Sequence, residues 1–330
     1  MKTRNPYYDN LKFILMILVV LSHFGFEQKN EPSMHAILNL LAAFVVPVYA
    51  VISGFFSRKI TAQRKEDVLT LLLPYLILEV LHLGFTKITG LGKGDVHIEV
   101  PTYQNWYLLT LFFWRMMIPY FRFVKPLTGI FIALCIGFSV GFFGEFNDFL
   151  DLHRTLYFFP FFIIGYYTDD LLAVIEKYKS LKWLSAIYLI AFVVAISYFT
   201  ISKTEIAEKL LYLFAPMFGY GKDLGNFVMR LGAFGVTSIT VFAFLMVMTN
   251  KTTFFTKFGA NTFNVYVFHM FIVWPLIPLL QPYTPILSES LALVLSIMIT
   301  FFLSSSKLAP VFKPITNPLS LFPSKGKQIQ

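Results

Sequence analysis

Long apolar stretches, separated by short polar and basic segments, recur along the whole of this 330-residue chain. An α-helix needs roughly 20 apolar residues to cross about 30 Å of hydrocarbon, and about ten stretches approach that length. The pattern therefore predicts an all-α polytopic membrane protein with about ten transmembrane helices. The predicted spans are 10–27, 35–56, 67–86, 104–123, 127–144, 155–171, 183–201, 224–249, 261–280 and 286–306. The shorter apolar segment 206–219 is interpreted as a re-entrant or interfacial piece.

The composition favours the same class of protein. Hydrophobic residues make up 57% of the chain and charged residues only 14%, whereas soluble domains average about 25% charged residues. The net charge of +9 would suggest a nucleic-acid partner in a soluble protein. Here the basic loops explain the charge, so no nucleic-acid partner is predicted. The single cysteine, Cys135, excludes an internal disulfide.

The distribution of basic residues predicts the orientation. Lys and Arg concentrate in every second loop, beginning with the N-terminal segment, and these residues favour the cytoplasmic side of a membrane. We therefore predict an even number of spans in the plasma membrane, with both termini cytoplasmic. Residues 1–310 are interpreted as one transmembrane domain, and residues 311–330 as a basic cytoplasmic tail.

The first predicted span contains a histidine, His23, although a titratable ring inside a membrane is costly. Lys12 precedes it by eleven positions, which is about three helical turns or roughly 16 Å of rise. The two side chains therefore lie on nearly the same helix face. Spacing alone leaves two interpretations open: a core histidine, or a base joined by one helix face to a charge at the membrane surface.

Other polar residues form two layers of the predicted topology. The basic loop residues nearest the cytoplasmic face are Arg58, Lys59, Arg64 and Lys65, close to Lys12. The outer half contains Glu79, His82, Asn105, Trp106, Arg154, Asn226 and Arg230, with His269 near the middle of the ninth predicted span. Purely structural roles stay open: orientation determinants for the loop cations, an interfacial anchor for Trp106, and snorkelling for the arginines.

Metal chemistry is not favoured by the sequence. No zinc-binding spacing, nucleophile elbow or glycine-rich phosphate loop is present, and we predict no metal. A site built from His23, His82 and His269 is the less favoured alternative. Glu79 and His82 are three positions apart and can pair on one helix face.

Six short strings, in order along the chain, point to a family. The first is Asp9, Lys12 and, after ten intervening residues, His23. The other five are residues 46–55 ending in Ser-Gly-Phe, 73–75 (Leu-Pro-Tyr), 105–108 (Asn-Trp-Tyr-Leu), 154–165 with Pro-Phe-Phe-x-x-Gly, and 264–269 with Tyr-x-x-His. Together they resemble the acyltransferase-3 family of integral membrane O-acyltransferases, most closely its fucose 4-O-acetylase-like branch. Lys12 stands where the family more usually has Arg, which keeps the charge but loses the planar bidentate fork.

The resemblance implies transfer of an acyl group, usually acetyl, from cytoplasmic acyl-CoA to a hydroxyl of an envelope or exported glycan. Acetyl-CoA would be the donor substrate, with no permanently bound cofactor. The implied partners are the lipid bilayer, the acyl-CoA donor and a sugar or glycan acceptor; the oligomeric state is not determined. Lys12, Arg58, Arg64 and Lys65 would bind the phosphates of coenzyme A.

In this interpretation His23 is the catalytic residue, either as a general base or as an acyl carrier. The sequence does not choose between the two. Glu79 is expected to orient or charge-balance His23. Acceptor binding or oxyanion stabilisation is expected from Asn105, Trp106, Arg154, Tyr266 and His269.

Two other classes of function fit the same pattern. A small-molecule transporter or permease would line its path with the intramembrane polar residues. A non-catalytic binding module would keep the fold without turnover. Consumption of acyl-CoA separates both from the acyltransferase.

Overall fold

The structure is a computed structural model, and it describes residues 4–27, 31–58, 67–91, 99–143, 149–202, 209–210, 213–214, 223–316 and 318. Within these residues the fold is all-helical, with no strand, as predicted. The helices of seven or more residues are α1 (Pro6–Glu27), α2 (Pro32–Ser57), α3 (Leu73–Thr89), α4 (Trp106–Phe121), α5 (Pro126–Ser139), α6 (Leu152–Tyr167), α7 (Leu171–Lys177), α8 (Lys182–Ser202), α9 (Leu224–Val247), α10 (Thr262–Phe268), α11 (Met270–Leu280), α12 (Pro285–Leu303) and α13 (Ala309–Thr316).

Six helical stretches in the described part of the chain are long and apolar enough to cross a membrane. They are Pro6–Gly25, Pro32–Ser57, Val68–Thr89, Lys179–Ser202, Leu224–Val247 and Pro285–Leu303. The number rises to eight if two sharply bent helix pairs each form one span. These helices make the chain a multi-pass membrane protein, in agreement with the sequence.

The predicted count of ten spans stays a prediction. The stretches predicted at 104–123 and 127–144 are helical, but α4 has only 16 residues and Pro126–Phe142 is a shorter apolar helix. The segment 206–219 lies outside the described residues except at 209–210 and 213–214.

Local sequence signals explain where α1 begins. The side chain of Asn5 accepts a hydrogen bond from the backbone N–H of Tyr7 at 2.9 Å, which satisfies one of the unpaired N–H groups at a helix start. Pro6 occupies the first helical position, where the missing N–H costs nothing. Asp9 places a negative charge in the first turn, where the helix dipole favours it.

The span predicted at 261–280 is broken. The helical stretch Thr256–Phe268 meets Met270–Leu280 at an angle of 69°, and His269 is the residue between them. Pro275 and Pro278 lie within α11 and cannot donate the N–H that continues a helical ladder, so the backbone hydrogen bonding is weakened just beyond the break. The break places a histidine at a bend inside the bundle.

The most extensive helix contact joins α2 to α6, and two glycines permit it. A Cβ added at Gly54 would collide with the carbonyl oxygen of Phe162, and one added at Gly165 would collide with the carbonyl oxygen of Val51. Small residues let helix backbones approach closely in membranes, where packing replaces the hydrophobic effect as the driving force. The α2–α6 pair therefore forms a tightly packed centre for the bundle.

Replacing Gly165 with alanine is expected to lower stability by about 1–3 kcal/mol, because the added methyl group forces two backbones apart. The thermal midpoint of the purified protein in detergent measures the loss. Gly232→Ala on α9 is the matched control, since a Cβ there meets nothing within 4 Å and alanine is the better helix former. Equal midpoints for Gly165→Ala and the unsubstituted protein would contradict the close packing.

Basic loops that the sequence assigned to one side of the membrane lie at one end of the bundle, which we call the basic end. Arg58 donates to the carbonyl oxygen of Thr168 at 2.8 Å. Asn10 donates to the carbonyl oxygens of Thr249 and Lys251 at 3.1 and 2.9 Å. The basic end therefore brings together the start of α1, the end of α2, and the loops after α6 and α9.

Candidate active site

Two histidines from opposite ends of the sequence meet inside the bundle. His23 lies on α1, and His269 lies at the break between α10 and α11. Their ring centroids are 5.0 Å apart with an interplanar angle of 41°. His269 is fully buried, whereas His23 retains accessible surface. The pair forms because α1 packs against both α10 and α11.

Hydrogen bonds fix which nitrogen of His269 carries the proton. Its Nδ1 lies 2.8 Å from the carbonyl oxygen of Val265 and 3.0 Å from that of Tyr266. Carbonyl oxygens only accept, so Nδ1 must be the donor. In the neutral ring Nε2 then carries the lone pair, and this buried atom has no hydrogen-bond partner among the described residues. His269 thus presents a proton acceptor beside His23.

Arg154 supplies positive charge near the pair. Its Nε and Nη2 donate to the two carboxylate oxygens of Asp151 at 2.7 and 2.5 Å, and its guanidinium lies 4.3 Å from the ring centroid of Trp106. Arg154 is close enough to His23 to act on it electrostatically. Two of five N–H groups are engaged by Asp151, so the remaining ones can hydrogen-bond a developing oxyanion.

Asp151 is a site residue that the sequence analysis missed. It precedes Arg154 by three positions, the spacing of a helical ion pair, and that spacing was the available signal. Asp151 adopts a left-handed backbone conformation with φ of 53°, which aspartate tolerates better than most residues. This turn at the start of α6 holds the carboxylate against the guanidinium.

Glu79 belongs to a network on α3. Its carboxylate accepts hydrogen bonds from Thr102 N at 2.9 Å, Thr102 Oγ1 at 2.5 Å and Asn105 Nδ2 at 3.0 Å. Asn105 Nδ2 also lies 3.0 Å from His82 Nδ1. The structure therefore places Glu79 where it orders the turn before α4 and, through Asn105, the ring of His82.

Two residues expected to stabilise an oxyanion have their donors engaged. Asn105 Nδ2 contacts both Glu79 and His82, which uses the two protons of the amide. The hydroxyl of Tyr266 donates to the carbonyl oxygen of Gln104. The lone pair on His269 Nε2 cannot donate either. Among the sequence-predicted candidates, Arg154 has unused N–H groups for the oxyanion.

A row of hydroxyl-bearing side chains connects the basic end to the histidine pair. Tyr49 donates to the carbonyl oxygen of Lys12 at 3.2 Å, and its ring lies 6.2 Å from that of Tyr107. Tyr107 shares a 2.9 Å hydrogen bond with Ser53 and lies 6.4 Å from Tyr266. The three tyrosines retain accessible surface. Of the three, only Tyr266 was predicted from the sequence as a site residue.

At the basic end, Asp9 holds two cations. Arg4 donates to both carboxylate oxygens at 3.0 and 2.8 Å, and Lys12 Nζ lies 3.1 Å from Oδ1. The hydrogen bond to Asp9 raises the pKa of Arg4 above its ordinary value. Lys12 therefore has an acidic partner three positions away and is one member of a small charged cluster.

Among the other predicted phosphate ligands, the structure describes Arg58, which is engaged by residues at the end of α6. Arg58 donates to the carbonyl oxygens of Thr168 and Asp169 and pairs with the Asp169 carboxylate, so it also tethers α2 to the end of α6. Arg64 and Lys65 lie outside the described residues. No group of three or more metal-ligating side chains occurs in the part of the chain that the structure describes.

Comparison with known proteins gives one positive result. A family model described as an acyltransferase domain matches residues 5–305, a range that includes both histidines, Arg154 and Lys12. No curated protein and no solved structure matches the chain.

Proposed function

The chain belongs to the acyltransferase-3 family, whose model spans nearly all of it, and from this membership and the site geometry we propose a specific reaction. The protein moves an acetyl group from cytoplasmic acyl-CoA to a hydroxyl of an extracytoplasmic or envelope glycan. Family membership and the apolar helices support a membrane acyltransferase in general. The donor, the acceptor, the orientation in the plasma membrane and the roles of individual residues are our proposal.

The observation that carries the proposal is the pairing of His269 with His23, which lies on the helix that begins at the charged cluster. Lys12 and His23 lie on nearly one face of α1, roughly 16 Å apart along its axis. The phosphates of a donor can therefore stay at the basic end while its thioester reaches His23. The paired ring of His269 adds a buried proton acceptor at that depth.

The chemistry follows from these placements. In direct transfer, the acceptor oxygen attacks the thioester carbonyl carbon, the C–S bond breaks, and the hydroxyl proton passes through a histidine nitrogen to the coenzyme A thiolate. Arg154 hydrogen-bonds the oxyanion that forms at the carbonyl oxygen. Trp106, held against Arg154 at 4.3 Å, helps to shape the acceptor side of the site.

Two routes for His23 stay open. As a general base, His23 takes the acceptor proton, and the imidazolium that forms hydrogen-bonds His269 Nε2 through its other ring nitrogen. As an acyl carrier, His23 first attacks the thioester and releases the coenzyme A thiolate. The acceptor oxygen then attacks the acetyl carbon, the bond to His23 breaks, and His269 Nε2 takes the acceptor proton, which passes to the thiolate. In both routes His269 Nε2 acts as an acceptor during proton transfer.

Donor binding is assigned to the basic end. We propose that Lys12, Arg58, Arg64 and Lys65 attract and hold the phosphates of coenzyme A, which cannot enter lipid. Charge-assisted hydrogen bonds to phosphate are about twice as strong as neutral ones. Glu79 is a positioning residue in this scheme, since it orders Asn105 and His82 beside the site.

Labelled acetyl-CoA tests the reaction. Membranes from cells that express the protein are incubated with acetyl-CoA labelled in the acetyl group, and envelope glycans are isolated and examined by mass spectrometry. We expect hydroxyl-linked label that depends on the protein. Solute flux without acetyl-CoA consumption would instead identify a transporter, and donor binding without turnover would identify a binding module.

A further inference from the structure

A cavity of about 560 Å³ opens at the basic end, between the start of α1 and the loop before α10. Its lining includes Arg4, Asp9, Thr252, Phe254 and Lys257. None of these except Asp9 was selected from the sequence, and Asp9 was noted only as part of a motif. We call this cavity the α1 groove.

The α1 groove is fixed by contacts between its walls. The side-chain oxygen of Asn10 accepts hydrogen bonds from Thr253 Oγ1 at 3.2 Å and Thr256 Oγ1 at 2.7 Å. A Cβ added at Gly259 would collide with the carbonyl oxygen of Asp9, so the loop backbone lies directly on α1. A groove held in this way binds a ligand without first ordering the loop.

The charge around the α1 groove is positive. Asp9 is engaged by Arg4 and Lys12, and the side chain of Arg4 remains 56% exposed. Lys257 is also exposed on the opposite wall. Arg4, Lys12 and Lys257 together outweigh the single carboxylate of Asp9, which favours binding of an anion with several charges. The Nη1 group of Arg4 is not used by Asp9 and can contact such an anion.

An aromatic ring borders the same cavity. Phe254 is 77% exposed, although its ring packs against Phe255 and Phe301 at centroid distances of 5.3 and 6.1 Å. Those neighbours hold the ring in place while its outer surface stays open. An exposed aromatic face beside cations and a threonine hydroxyl matches a nucleotide, whose base stacks while its phosphates pair with the charges.

We propose that the α1 groove binds the adenine nucleotide end of acyl-CoA, with the base on Phe254. Arg4 and Lys257 then add to the phosphate contacts assigned above to Lys12 and the other cations of the basic end. This inference rests on the proposed function and extends it. Asp9 precedes His23 by fourteen positions, about 21 Å of helix rise, so the pantetheine arm runs along α1 toward the histidine pair. The row of Tyr49, Tyr107 and Tyr266 likewise starts at the carbonyl oxygen of Lys12 and ends at the residue whose carbonyl oxygen accepts from His269 Nδ1.

Two donors that differ only in the nucleotide test the assignment. The variants Lys257→Glu and Phe254→Ala are assayed with acetyl-CoA and with S-acetylpantetheine, which lacks the nucleotide. We expect the KM for acetyl-CoA to rise about tenfold or more in each variant, with kcat nearly unchanged. The KM for S-acetylpantetheine stays at the value of the unsubstituted protein. Lys307→Glu is the control, because Lys307 is an exposed lysine outside the groove lining.

Three outcomes would overturn the assignment. An unchanged KM for acetyl-CoA would remove the groove from donor binding while leaving acyl transfer itself intact. An equal rise for both donors would show an effect on the thioester or on the fold. Loss of binding to anionic lipid vesicles, with unchanged KM values, would assign the groove to a lipid phosphate.

Failure of the proposed function gives a different result. In that case the unsubstituted protein transfers no acetyl from either donor. Equilibrium binding of free coenzyme A to the detergent-solubilised protein then tests the groove directly. Binding that weakens in Lys257→Glu but not in Lys307→Glu supports the groove, and equal binding in all three proteins contradicts it.

Discussion

Replacement of His23 with alanine is expected to lower the rate of acyl transfer at least about 100-fold, the smaller end of the contribution of a general base. If His23 carries the acyl group, the loss is complete, because the covalent intermediate cannot form. The measurement is transfer of labelled acetyl by membranes that contain equal amounts of the variant and the unsubstituted protein. Expression level and thermal midpoint in detergent verify that the variant folds.

His35→Ala provides the matched control for His23→Ala. His35 is a buried histidine on α2, outside the pair, so its removal tests whether loss of any buried imidazole is enough to stop the reaction. We expect the control to retain most of its activity per folded molecule. Substantial transfer by His23→Ala would contradict the catalytic assignment and favour a core histidine.

Replacement of His269 with alanine is expected to lower kcat about 100-fold or more, with little change in the KM for acetyl-CoA. The reason is geometric: its Nε2 is the proton acceptor of a ring oriented by two backbone carbonyls and packed 5.0 Å from His23. Steady-state kinetics at varied donor and acceptor concentrations separate the two parameters.

Chemical rescue distinguishes a missing base from a damaged fold. Imidazole added to His269→Ala enters the space left by the ring and is expected to restore part of kcat. A purely structural histidine would give no rescue, and its loss would lower the thermal midpoint in proportion to activity. Activity of His269→Ala within a factor of about three of the unsubstituted protein would contradict a role in proton transfer.

Isotope exchange in the same His269→Ala variant distinguishes the two routes left open for His23. With an acyl-histidine intermediate, exchange of label between acetyl-CoA and free coenzyme A needs no acceptor. This exchange survives in His269→Ala, because only the second half-reaction uses the His269 base. With direct transfer, no exchange occurs in either protein. The comparison therefore selects one route without a structure of the intermediate.

Much of the fold could be predicted from the sequence because apolar length and helix signals are local. Each of the ten predicted stretches is mostly helical over its described residues, and Asn5, Pro6 and Asp9 explain the start of α1. The break at His269 was not predicted, because prolines indicate weakened hydrogen bonding but not the direction in which a helix bends. The close approach of α2 and α6 depends on where Gly54 and Gly165 meet, which no local pattern specifies.

The sequence by itself determined the helical membrane class, the family-like strings, and the placement of Lys12 and His23 on one helix, since these depend on periodicity along a single segment. Only the tertiary structure decided which side chains touch. It places His269 against His23 and lets Asn105 hydrogen-bond Glu79. It also pairs Arg154 with Asp151 beside Trp106. It also created the α1 groove from segments about 250 positions apart. The physical reason is that helix contacts and side-chain hydrogen bonds form between residues far apart in the sequence. The position of a proton on a ring, and whether a donor is already engaged, therefore depend on the assembled bundle.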